Sequence, residues 1–170
     1  MMVEYDPLET FARLYFERNG YFVRTNVYYG KDEVDIVAIP PDKSDVIACY
    51  CTTSTTKQKI EGFSREYLNK IKKKITEELE IENVKFWFFT LWLGEGDGAI
   101  SRCEPKLKER GFDEIIGPSE VISFVDDIVQ EYNELWERKG REGPREFEPI
   151  LWTIKMLWRI EYFKRNDLHG

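Results

Sequence analysis

Two apolar runs on either side of a turn-forming stretch constrain the fold more than any other part of the sequence. Residues 34–39 (VDIVAI) and 46–51 (VIACYC) are rich in β-branched and apolar side chains, and residues 40–45 between them are PPDKSD. This pattern predicts two strands joined by a turn, and such continuous apolar runs are typical of strands buried on both faces. Asp35 lies in the first run, where an isolated carboxylate is costly unless it is paired or coordinates an ion.

The other elements follow the order of an α/β protein. Hydrophobic periodicity and end signals predict further strands over residues 21–29, 84–93 and 113–116. Helices are predicted to begin at Asp6, after Thr56, at Pro105, at Ser119 and at Pro149. The second of these is predicted as one long amphipathic helix, with an apolar stripe from Ile60 to Leu79. Because the early strands follow one another directly and helices link the later ones, we expect a mixed central β-sheet flanked by helices.

The domain boundary is predicted at residue 136. Residues 1–136 are expected to form one α/β domain, and residues 137–170 a charged loop and an apolar C-terminal helix. That helix, over residues 150–163, is apolar nearly all round, which predicts burial on more than one side. It is expected to pack on the core or on a second subunit, so a homodimer is the predicted assembly.

Composition and charge argue against several classes of protein. No run of about eighteen apolar residues is present, so no membrane-spanning helix is expected. The acidic start lacks the signal-peptide pattern, and the three cysteines lack disulfide-framework spacing, which together favour the cytoplasm. Abundant Glu and Lys with a single His favour a thermophilic source. The net charge of −7 argues against a surface coated for nonspecific nucleic-acid binding, but it allows a local basic face.

A basic face is predicted on the helix after Thr56. The cations that we expect to contact nucleic acid there are Lys57, Lys59, Arg65, Lys70 and Lys73. Positive charge in the first part of a helix opposes the helix dipole, which favours a functional reason for these residues. The ordinary alternative is a solvated helix face.

The element order and four positions resemble the PD-(D/E)XK nuclease superfamily, and most closely the archaeal Holliday junction resolvases and related restriction enzymes. Glu9, in LETFARLYFERNGYFV, matches the acidic residue of the family's first helix, and Asp35, in EVDIVAI, matches its strand aspartate. Cys49 stands where the family has Glu or Gln, and Cys51 stands where it has the catalytic Lys. The motif is therefore half preserved.

The resemblance implies a restriction-endonuclease-like core (αβββαβ), DNA, duplex or branched, as the partner, and Mg²⁺ held by Glu9 and Asp35 if the protein is active. Thiolate is a soft ligand that does not replace a carboxylate for Mg²⁺, and a cysteine supplies no cation at position 51. We therefore expect a degenerate site, with no certain cofactor. The alternative is an active endonuclease in which Lys57 or Lys59 replaces the missing lysine.

Simpler interpretations of the same residues stay open. Glu9 is also placed as the capping-box partner of Asp6, and Asp35 as a salt-bridge partner of a neighbouring cation. Cys49 and Cys51 alternate with Tyr50, so Asp35 shares the face of the thiols only if it pairs across from one of them. A one-residue shift of the register would place Asp35 beside Tyr50 instead. A non-catalytic dimeric scaffold is the third hypothesis.

Overall fold

The computed structural model describes residues 7–52, 57–91 and 99–139. In these ranges the first elements are α1 (Pro7–Arg18), β1 (Phe22–Tyr29), β2 (Asp32–Ile39) and β3 (Val46–Thr52). The elements that follow are α2 (Lys57–Gly62), α3 (Arg65–Leu79), β4 (Val84–Thr90), α4 (Ala99–Arg110), β5 (Glu114–Ile116) and α5 (Pro118–Lys139).

The described strands form one five-stranded mixed sheet in the order β1-β2-β3-β4-β5. The pairs β1–β2 and β2–β3 are antiparallel, whereas β3–β4 and β4–β5 are parallel. A tight turn can join antiparallel neighbours, but parallel neighbours need a crossover, which α2 and α3 supply between β3 and β4. The predicted α/β class, with a mixed sheet flanked by helices, is confirmed.

Strand β4 shows how the two faces of the sheet are covered. Trp87 and Phe89 pack toward α1, where their ring centroids lie 5.4 and 5.9 Å from that of Phe16. Phe88 points the opposite way, and its ring lies 5.8 Å from that of Phe63, beside α3. This alternation places one apolar layer under α1 and another under α3.

The predicted long helix after Thr56 is wrong in one respect, because α2 and α3 are separate helices. The chain is extended at Ser64 (φ −90°, ψ 155°), whose hydroxyl accepts a hydrogen bond from the backbone N–H of Tyr67 at the start of α3. Serine favours this N-cap role because its short side chain satisfies an otherwise unpaired helical N–H. The apolar stripe continues across the break, with Leu68, Ile71 and Ile75 buried.

Two other predicted helix starts are also wrong. Helix α4 begins at Ala99 and runs through Pro105, which the sequence pattern had placed at its first turn. Helix α5 begins at Pro118, so Ser119, which the sequence predicts as the capping residue, lies inside its first turn. Helix α1 ends at Arg18, and Gly20 adopts the left-handed conformation (φ +83°) that favours glycine after a helix.

The chain divides into two compact units, Met1–Val121 and Ile122–Gly170. The second is described only as far as residue 139. The predicted apolar helix over residues 150–163 lies outside the described residues, and the predicted boundary at residue 136 stays a prediction. Across the described ranges, none of the helices combines the length and apolarity that crossing a membrane requires.

Candidate functional site

The register of the β2–β3 hairpin decides which residues surround Asp35. Ile36 lies opposite Cys49, and Val37 lies opposite Ala48. A cysteine is therefore not the residue directly across from Asp35, and the alternative with Asp35 beside Tyr50 is the one observed. Burial is the largest cause of the raised pKa of the Tyr50 hydroxyl, and the hydrogen bond with the Tyr67 hydroxyl is the next. The Asp35 carboxylate also raises this pKa, which is consistent with its position beside Tyr50.

Asp35 nevertheless contacts the second cysteine through the main chain. The backbone N–H of Cys51 donates a hydrogen bond of 2.6 Å to Oδ2 of Asp35. A carboxylate that accepts a backbone N–H forms a charge-assisted bond, which is stronger than a bond between neutral groups. The partly buried Asp35 therefore has a main-chain partner at the position where the family places its lysine.

The two thiols differ in exposure, since Cys49 is buried and Cys51 is half-buried. Cys49 is fully buried, and its Sγ lies 3.8 Å from the carbonyl oxygen of Tyr50, to which it donates a weak hydrogen bond. Burial, followed by the neighbouring Cys49 thiol and the carboxylates of Asp35 and Glu9, raises the pKa of the Cys51 thiol well above its usual value. The neutral thiol is neither a nucleophile nor a metal ligand. Both cysteines are free.

Glu9 lies in the first turn of α1. Its carboxylate contributes, after larger causes, to the raised pKa of the Cys51 thiol. The pKa of the Tyr28 hydroxyl is raised first by its hydrogen bond to Glu33, and then also by Asp35 and Glu9. Glu9 and Asp35 therefore both act electrostatically on the Cys51 thiol, although the register places Asp35 on the Tyr50 side of the sheet and the thiols on the other side.

The donor set around Asp35 does not fit the family's Mg²⁺ site. Mg²⁺ prefers hard oxygen ligands, whereas positions 49 and 51 offer sulfur. Over residues 7–52, 57–91 and 99–139, no three His, Cys, Asp or Glu side chains are grouped so as to hold a metal ion. The two carboxylates that the family pattern assigns to the metal, Glu9 and Asp35, are present without the third motif acid.

A cavity of about 450 Å³ opens beside Asp35. Its lining combines the acids Glu33 and Asp35 with the aromatic rings of Tyr50, Phe63, Tyr67 and Phe88. Glu33 was not among the predicted site residues, although alternation along a strand places residues two apart on the same side. The aromatic residues of α3 could not be assigned to this cavity from the sequence, because their position depends on the break at Ser64.

The predicted basic face is largely engaged by acids and carbonyls of the chain itself. Lys70 Nζ lies 2.6 Å from Oδ2 of Asp32, Lys73 Nζ lies 3.8 Å from Oε1 of Glu77, and Arg65 Nε donates to the carbonyl of Glu109 at 2.7 Å. Ion pairs of such exposed groups contribute only about 0–1 kcal/mol, so these cations can exchange partners. For Lys57 and Lys59, the predicted replacements for the missing lysine, the structure describes the backbone in α2 but not the side chains.

Comparison with known proteins adds no family assignment. No protein-family model matches the chain, and no curated protein sequence matches it significantly. The resemblance to PD-(D/E)XK nucleases therefore depends on the element order, on Glu9 and Asp35, and on the two cysteines at the remaining motif positions.

Proposed function

We propose that this chain is a catalytically degenerate nuclease-like domain that binds nucleic acid without cutting it. The observation that carries the proposal is the hydrogen bond from the Cys51 backbone to Asp35. The strand aspartate of the family pattern is kept, but its partner at the lysine position is a main-chain N–H on a residue with a neutral thiol. Hydrolysis of a phosphodiester needs positive charge at the developing oxyanion, and this thiol supplies none.

The proposal includes the finer parts of the resemblance. We take the core to be restriction-endonuclease-like (αβββαβ), with the pair α2 and α3 in the place of its second helix. We place the protein in the cytoplasm, as a homodimer through the helix predicted over residues 150–163. Its partner would be duplex or branched DNA.

The basic face of α2 and α3 is the proposed contact surface. Lys70 and Lys73 are exposed and form ion pairs with Asp32 and Glu77. Phosphate contacts of this kind release counterions, so binding would weaken as the salt concentration rises. The remaining members of the surface would be Lys57, Lys59 and Arg65.

Electrophoretic mobility shift titrations with duplex, single-stranded and branched DNA test binding. We expect retardation at low salt that weakens with added salt, and a weaker complex for Lys70→Gln/Lys73→Gln. The matched control is Lys43→Asn, which removes one exposed charge in the β2–β3 turn, where φ is +56° and asparagine is tolerated. Absence of binding to every DNA at low salt would reject the proposal.

Incubation with plasmid and junction DNA in Mg²⁺ or Mn²⁺ tests the absence of catalysis. We expect intact DNA after incubation. Cleavage that disappears in Asp35→Asn and persists in Glu33→Gln would instead establish the active endonuclease, with Lys57 or Lys59 as the replacement lysine. The pair of variants separates the motif aspartate from its neighbour on the same strand.

A further inference from the structure

A second cleft lies at the opposite end of the central strands from Asp35. It has a volume of about 400 Å³, and the polar and charged residues that line it include Arg65, Asn69, Lys72, Lys85, Arg110 and Asp113. Lys85 pairs with Ile47 near the start of β3, whereas Cys51 lies four residues further along that strand. At about 3.3 Å per residue the two sites are about 13 Å apart along the strand.

The lining of this cleft is strongly basic in a chain that is acidic as a whole. Four cations and one acid line it, while the net charge of the chain is −7. Of the four, Lys85 is neutralised, because its Nζ lies 2.8 Å from Oδ2 of Asp45. Asp113 is fixed on β4, where its Oδ2 accepts the N–H of Phe86 at 2.7 Å and its own N–H donates to the Phe86 carbonyl at 2.7 Å.

The other three cations keep donors for a ligand. Arg65 uses Nε for the Glu109 carbonyl, which leaves the terminal nitrogens of its guanidinium as donors. Within the described part of the chain, Lys72 and Arg110 form no ion pair. Three positive side chains that line one cleft repel one another unless an anion lies between them.

We infer that this cleft binds a phosphate-bearing ligand through Arg65, Lys72 and Arg110. Guanidinium groups match the geometry of phosphate oxygens in bidentate bonds, and a lysine adds a compact charge. Asn69 also lines the cleft and offers a neutral amide donor. The volume falls within the range of small-molecule sites, about 300–1,000 Å³, so the cleft holds a nucleotide or one stretch of a nucleic-acid backbone. The inference shares Arg65 with the proposed DNA-contact surface but does not rest on the proposed function, because Lys72 and Arg110 line this cleft and are not part of that surface.

Isothermal titration calorimetry of the full chain at low salt tests the inference. The probes are pyrophosphate, adenosine monophosphate and a short single-stranded oligonucleotide. We expect at least one probe to bind, and Lys72→Gln/Arg110→Gln to weaken its binding by about tenfold or more, because two charge-assisted bonds to phosphate are lost. Binding of the small probes assigns the site to a phosphorylated small molecule, and binding of the oligonucleotide alone assigns it to a nucleic-acid backbone.

The control variant is Lys108→Gln, an exposed lysine on the same helix as Arg110 that does not line the cleft. Thermal melts show whether each variant is folded. Absence of binding for all three probes, or equal weakening by Lys108→Gln, overturns the inference. Oligonucleotide binding that is lost in Lys70→Gln/Lys73→Gln but kept in Lys72→Gln/Arg110→Gln also overturns it, while supporting the proposed function.

Discussion

The carboxylate of Asp35 on β2 is held by the backbone N–H of Cys51 on β3, at 2.6 Å. This bond runs diagonally across the strand pair. Because Ile36 lies opposite Cys49, the residue opposite Asp35 is Tyr50, and Asp35 bonds instead to the next residue, Cys51. This bond makes Asp35 a structural residue of the hairpin, whatever its role toward a ligand. Stability measurements therefore complement the binding and cleavage experiments at this position.

Replacing Asp35 by Ala should destabilise the protein. The change leaves the Cys51 N–H without its acceptor in a partly buried setting, which costs about 1–3 kcal/mol in the free energy of unfolding. Asp35→Asn keeps an acceptor oxygen and should lose less. Urea unfolding measures both, with the exposed Glu33→Ala as control. Equal losses for Asp35→Ala and Glu33→Ala would contradict the structural role.

The Cys51 thiol should resist alkylation in the native state. Because its pKa is raised above the usual value, little thiolate is present near neutral pH, and the thiolate is the reactive form. Iodoacetamide labelling followed by mass spectrometry should show slow modification of Cys51 in the folded protein and fast modification in urea. Rapid native labelling at pH 7 would contradict the raised pKa.

The same thiol should make stability fall at alkaline pH. The unfolded thiol ionises near its ordinary pKa of about 8.5, while the folded thiol keeps its proton to higher pH. The folded state then binds more protons than the unfolded state, so the free energy of unfolding decreases as pH rises through this window. Urea unfolding at pH 7 and pH 9.5 should show a smaller decrease for Cys51→Ala than for the natural chain. An identical decrease would assign the effect to other groups.

The contact of Asp32 with α3 should be lost in acid. The hydrogen bond from Lys70 lowers the pKa of the Asp32 carboxyl, and the charges of Lys70 and Lys74 lower it further. A lowered folded pKa gives stability that is present above the unfolded pKa of about 3.9 and is lost as pH falls through the folded value. The difference in unfolding free energy between the natural chain and Asp32→Asn should therefore shrink below pH 4. Asp126→Asn, at an exposed position on α5, is the control, and a difference that stays constant from pH 6 to pH 3 would contradict the ion pair.

Removing the cap of α3 should weaken the packing beside the candidate site. Ser64→Ala deletes the acceptor of the Tyr67 N–H, and N-cap losses of this kind cost about 0.5–2 kcal/mol. Thermal unfolding measures the change, with Ser123→Ala, an exposed serine inside α5, as the matched control. A melting temperature that falls equally in both variants would show that the cap is unimportant.

Local signals in the sequence predicted most of the elements, but not the register that organises the site. The hairpin was predictable because two apolar runs flank a stretch of turn formers. Its register was not, because both runs are apolar on both faces and lack the alternation that fixes strand pairing. Ile36 and Ala38 are apolar, so they can be buried on either face of the sheet, and their identity does not select one register.

The break between α2 and α3 and the ion pairs of the basic face could not be predicted from the sequence either. The apolar positions stay in phase across Ser64, so periodicity alone favours one helix, although the local capping signal favours two. The partner of Lys70 is Asp32, which lies on a distant part of the chain. The sequence gives no sign of this ion pair, because Lys70 and Asp32 come together only in the folded chain.

The bond to Asp35 comes from the main chain of Cys51 and so does not depend on the side chain at that position. Every residue type except proline carries the required N–H. Position 51 can therefore be substituted without removing this hydrogen bond between the strands. A saturation library at this codon could be screened for new chemistry while the bond is kept. A reactive side chain at position 51 can therefore be gained or lost without removing the hydrogen bond that Asp35 accepts.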